Sequence, residues 1–195
     1  MEYQEIIITI LMGISLAACA GLRAFLPLLV VSVAAKTGLI QLGSGFEWLS
    51  SWPSIIVFSV AVLFEILGDK IPAVDHFLDV FGTFVKPVAG TIAVASTFFD
   101  LSPLHATFYG IIFGGTVAEG VHLVKAKARI VSTATTAGFG NPLLSIAEDA
   151  ASLSGSIMAI FIPVLIFIII VLTFYLFWLA YRKLRRRKRV SAPNA

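Results

Sequence analysis

Charge is scarce in this chain. Asp, Glu, Lys and Arg make up 13% of its 195 residues, against about 25% in a soluble domain. With 58% hydrophobic residues and a mean hydropathy of +0.98, most of the polypeptide must be dissolved in lipid. Cysteine is scarcer still: Cys19 is the only one, which excludes a disulfide framework. Several catalytic signatures are missing as well. No G-x-x-x-x-G-K-[ST] phosphate loop, H-E-x-x-H, G-x-S-x-G or C-x-x-C occurs, and the serines and threonines form no triad pattern. The loops have no room for a soluble catalytic domain. The start, Met1-Glu2-Tyr3-Gln4-Glu5, lacks the positive n-region of a signal peptide, so the first apolar segment is expected to be retained.

What is present is concentrated at the end. Ile157 to Tyr181 is almost purely apolar, and Arg182-Lys183-Leu184-Arg185-Arg186-Arg187-Lys188-Arg189 follows at once. Eighteen or more apolar residues are enough to cross roughly 30 Å of hydrocarbon, and a Lys/Arg block beside a span marks its cytoplasmic end. Residues 1–181 read as one transmembrane domain and 182–195 as a basic cytoplasmic tail. Such a tail holds to anionic lipid headgroups; no nucleic-acid partner is expected.

Hydropathy draws an all-α, polytopic bundle of about six helices, some broken or re-entrant. The segments run from about Ile6 to Ala35, Pro53 to Leu67, Val80 to Phe99, Leu104 to Val124, Ile130 to Leu153, and through the final apolar run. With both termini cytoplasmic, Lys70, Lys125, Lys127 and Arg129 fall on inner connections and only Lys36 on an outer one, satisfying the positive-inside rule. Trp48 and Trp52 suit an outer aromatic belt. Segment 130–153 is the least hydrophobic and is either a full span or a re-entrant element. Six spans divide into three plus three, which suggests an inverted repeat of the transporter kind. Gly110-x-x-x-Gly114 has the spacing that lets helices approach closely, within the chain or in a homo-oligomer.

Ionisable residues inside apolar sequence cost at least about 2.5–3.5 kcal/mol on insertion scales, so each is a functional hypothesis. Glu65, Asp69, Asp75 and Asp79 form two pairs, each spaced by four, around a Gly68/Pro72 break. Like charges this close must share a proton or a cation, and clustered carboxylate oxygens suit hard cations. Glu119 and His122, three apart on one helix face, add a carboxylate–imidazole pair of the kind used in bundle metal sites. Asp75, Asp79, Glu119 and His122 are accordingly the candidate ligands of a divalent cation, the one cofactor the sequence suggests. Asn141-Pro142 opens a fresh half-helix that carries Ser145, Glu148 and Asp149. Arg23, deep in the first segment, is always charged and needs a carboxylate, carbonyls or a phosphate; Glu148 and Asp149 are candidate partners. Lys86, beside Pro87, poses the same question.

Four motifs carry a resemblance: Gly21-Leu-Arg23-Ala-Phe-Leu-Pro27, Asp69-Lys70-Ile-Pro72-x-x-Asp75-x-x-x-Asp79, Lys86-Pro87-Val-Ala-Gly90, and Gly140-Asn141-Pro142-x-x-Ser145-x-x-Glu148-Asp149. Together they resemble the bacterial membrane proteins grouped as domain of unknown function 4126, which implies a polytopic membrane protein and no particular activity. Glu65-x-x-Gly68-Asp69-Lys70 also resembles the Glu-x-Gly-Asp-[Lys/Arg]-[Thr/Ser] motif of a cation/proton exchanger family. It departs by one inserted residue and by Ile71 in place of a hydroxyl. The expectation is a bacterial inner-membrane transporter or channel for an ion or small solute, not an enzyme, using these buried carboxylates. A metal-dependent enzyme acting on a lipid phosphate, or a non-catalytic membrane-organising protein, are the alternatives.

Overall fold

The computed structural model describes residues 3–69, 72–137 and 139–190; the side chains of residues 72–77, 79, 180, 181 and 183–190 lie outside the description. Among the described residues seven helices form a bundle. They are α1 (Tyr3–Leu22), α2 (Phe25–Lys36), α3 (Trp52–Gly68), α4 (Pro72–Thr97), α5 (Pro103–Thr136), α6 (Asn141–Phe161) and α7 (Pro163–Val190). α1, α5, α6 and the Val80–Thr97 part of α4 are long and apolar enough to cross a bilayer. The chain is a membrane-embedded helical bundle.

Local sequence signals set the boundaries. Ser51 caps α3, its hydroxyl accepting from the Ser54 amide, with Pro53 in the first turn, where a missing N–H costs nothing. Pro103, Pro142 and Pro163 open α5, α6 and α7 in the same way. Pro163 was expected inside the last span; instead it starts α7 after a break at Ile162. Pro87, by contrast, sits inside a continuous α4.

The expected first span is two helices. Arg23 and Ala24 form a corner at which the chain reverses. Gly13 of α1 lies against Val94 and Thr97 of α4, and Gly43, beyond α2, donates its amide to the Ser96 carbonyl at 2.9 Å. Both arms therefore lead from Arg23 toward one end of α4. At 12 residues α2 is about 18 Å long, and residues 37–43 complete the climb. The expected fifth span is also redrawn. α5 continues to Thr136, Ala137 turns with φ 51°, and α6 starts at Asn141. Segment 130–153 is thus the end of one helix and the start of another, and α6 is a 21-residue apolar helix in its own right.

These two changes alter the helix order. α1 starts at the Thr97 end of the bundle and descends to Arg23. α6 rises from Ser145, beside Arg23, and α7 returns to bring Phe174 against Gly120. Among the described residues the first helix begins and the last helix ends at opposite ends of the bundle. Small residues draw the middle together. A Cβ on Gly90 would lie 2.5 Å from the Gly114 carbonyl oxygen, and a Cβ on Gly110 2.5 Å from that of Thr91. α4 and α5 cross almost backbone to backbone, as Gly spacing permits in lipid.

Candidate functional site: a buried ionic cluster at a helix break

The corner at Arg23 leaves two helix ends unpaired inside protein, where each orphan N–H or C=O needs a partner. Glu65 of α3 supplies one. Its carboxylate accepts from the Ala24 amide at 2.9 Å and the Phe25 amide at 3.4 Å, a negative group at the positive end of α2. At the other end Lys125 donates to the Leu22 carbonyl at 3.3 Å. Pro27, in the first turn of α2, has no N–H to satisfy.

Arg23 itself is 1% exposed. Its guanidinium reaches Asp69 just past α3 and Asp149 of α6, both at 2.5 Å. It also donates to the Ser145 hydroxyl at 2.8 Å and to the Glu65 carbonyl at 3.4 Å. Arg129 of α5 meets the same Asp69 oxygen at 2.9 Å and Glu148 at 3.0 Å. Lys125 reaches Glu148 at 2.9 Å, and the Ser145 hydroxyl donates to Asp69 at 3.3 Å. Arg23, Lys125 and Arg129 thus face Asp69, Glu148 and Asp149, three charges of each sign. Burial alone would raise the Asp69 carboxyl, but Arg23, Lys125 and Arg129 outweigh it and hold Asp69 below the usual carboxylate range.

Beside the cluster lies a cavity of about 190 Å³, lined by Arg23, Glu65, Asp69, Lys86 and Lys125 with Phe25, Phe64 and Phe81. At roughly 30 Å³ per water it has room for about six. Lys86, 3% exposed, lies 2.9 Å from Nδ1 of His122. An ammonium only donates, so Nδ1 accepts and the ring proton sits on Nε2, 3.4 Å from the Thr83 hydroxyl.

The structure therefore brings together Arg23, Glu65, Asp69, Ser145, Glu148 and Asp149, with Lys86 across the cavity. It separates others. Glu65 and Asp69 do not act as a carboxylate pair: one caps α2, the other holds two arginines. Asn141 lies in the exposed α5–α6 turn, donating to the Thr133 hydroxyl at 3.0 Å. His122 offers Nδ1 to Lys86, and the buried Glu119 Oε2 has no hydrogen bond. Among the described residues no three His, Cys, Asp or Glu side chains gather around a metal-sized space; Asp75 and Asp79 lie outside them. Sequence reading missed Lys125 and Arg129 as site residues. Their spacing of four, one helix face, was the available signal once α5 is known to run past Val124.

Residues 10–183 match the family model described as domain of unknown function 4126, and the chain belongs to that family. No curated protein and no solved structure matches the chain.

Proposed function

From membership in a family whose description assigns no activity, we propose that this protein is a small transporter for an ion or small solute. Its gate is the ionic cluster at Arg23. The observation that carries this is the location of the cluster. Six balanced charges, four of them buried and Glu148 and Asp149 half-buried, meet where a helix is broken, beside a cavity of about 190 Å³ that five ionisable side chains help to line. Irregular backbone at membrane depth is tolerated where it lines such a cavity, and broken helix ends are where transporters bind their cargo. An adjoining cation or anion can exchange with one partner of an ion pair, and the corner gives α2 a pivot. Asp69, Glu148 and Asp149 are each ion-paired in this arrangement, so the cargo enters by displacing a partner.

In this reading the basic tail is cytoplasmic, in a bacterial inner membrane, so the ionic cluster faces the cytoplasm and α1 starts at the outer face. Asp75 and Asp79, at the start of α4, then stand at the same mouth. No residue is assigned a catalytic role.

The test is ion flux into proteoliposomes across Na⁺, K⁺, Mg²⁺, Ca²⁺, Mn²⁺ and H⁺. We expect flux at least about tenfold above protein-free vesicles for one of them, and a loss of similar size in Asp69→Asn. Folded wild-type protein that moves none of these ions, nor a panel of small organic anions and zwitterions, would sink the proposal.

A further inference from the structure

A second space, of about 530 Å³, runs between α1, α5, α6 and α7 and shares Lys125 with the cavity beside the cluster. It is within the usual range for ligand pockets. Its lining holds fewer ionisable side chains than that cavity's. Small residues of α6, Ala147 and Ala151, floor it, and Val121 and Val124 of α5 and Ile169 and Phe174 of α7 wall it. Among the described residues the only charged ones along it are Lys125 and Glu148, paired at 2.9 Å.

Its length is informative. Along α7 it extends from Ile166 to Phe177, twelve residues separated by eleven rises of 1.5 Å, or about 16 Å. One leaflet of a 30 Å hydrocarbon core is about 15 Å deep. The residue after Phe177 is Trp178, with the Arg182 guanidinium 5.3 Å above its ring. A Trp and an Arg in contact at a helix end mark the headgroup plane. Seven of the fourteen basic residues follow within Arg182 to Arg189. The groove is therefore about one leaflet deep, mostly apolar along its walls, and ends where positive charge is densest in the sequence.

We propose that this groove binds one acyl chain of an anionic phospholipid drawn from the leaflet on the basic side, with the lipid phosphate held at the Arg182 end. The apolar walls take the chain and the basic block selects the headgroup. Because the lipid lies against Lys125 and Glu148, it braces the α5–α6 edge of the ionic cluster. The site stands independently of the transport proposal: lipid can bind whether or not any solute moves.

The test uses the full chain purified in detergent and native mass spectrometry with equal phosphatidylglycerol and phosphatidylcholine of matched chains. We expect one phospholipid retained per chain, the anionic lipid favoured at least about tenfold. Ala147→Phe with Ala151→Phe fills the groove from positions that are exposed, and should reduce retention about tenfold while the melting temperature without lipid changes little. Ser154→Leu, also exposed and on the groove, gives a milder block should the double variant fold poorly. Equal retention of both lipids, or undiminished retention in the folded groove-filled variants, would overturn the proposal. So would a dimer mass in place of the lipid adduct, which would assign the groove to a second copy.

Discussion

The Gly90–Gly114 crossing and the Arg23 cluster hold the same bundle by opposite means. At the crossing, α4 and α5 approach until a Cβ on Gly90 would meet backbone. Nothing there titrates, and nothing can exchange partners. At the cluster the helices are held apart by long side chains, and cohesion comes from charges that water, protons or ions can compete for. The first contact is a fixed axle. The second is a contact that can be remade without unfolding the molecule, which is what a gate requires. A membrane protein gains little from apolar burial between helices, so the two devices divide the work of packing and switching.

The sharpest way to break the comparison is Arg23→Gln. It strands Asp149 and leaves Asp69 to Arg129 alone, a loss of about 3–5 kcal/mol, read as a lowered midpoint of unfolding in mixed micelles. Adding Asp149→Asn should recover part of that loss, since the two residues are in contact and their effects will not add. Full additivity would mean that Arg23 and Asp149 are not partners. Gly114→Val comes next. Overpacking typically costs about 1–3 kcal/mol, and here the loss should be the same at high and low salt. If salt changes it, the crossing is not purely steric.

Glu65→Gln should be milder, about 1 kcal/mol. The amide keeps an acceptor for the α2 end but loses the charge that favours it. The smallest effect is that of pH. Asp69 has a folded pKa below its unfolded value of about 3.9. Its contribution is therefore complete above about pH 4 and lost as pH falls through the lower folded value. Stability from this group should be flat from pH 5 to 8 and fall in acid, with Asp69→Asn showing a shallower acid limb. An unchanged acid limb would remove Asp69 from the account.

Much of the site was legible in the sequence because buried charge is expensive. An arginine inside an apolar run demands a carboxylate, and Asp149 was among the two named for it. The corner was not legible. Hydropathy sees no gap between α1 and α2, since both are apolar and two residues join them. Lys125 and Arg129 were read as loop charges because α5 was ended at Val124, where hydropathy drops. Hydropathy could not reveal that the helix continues for twelve residues to Thr136, carrying both side chains inward. The pairing of Glu65 with Asp69 followed from their spacing alone; the actual partners come from the α1–α2 corner, the start of α2, α5 and α6, which spacing cannot report.

One turn of α5 has a larger reach than its size. Gly110–Gly115 is wound as a π-helix, a turn that holds one more residue than its α-helical equivalent. Such a turn is the footprint of a one-residue insertion. Each residue of an α-helix advances the face by about 100°. Delete one from this stretch and everything downstream rotates by that angle. His122 would swing from Lys86, and Lys125 and Arg129 from Glu148, although no contact residue had been touched. The whole ionic cluster is in that sense set in register by the count of residues in a glycine-rich turn that carries no charge of its own.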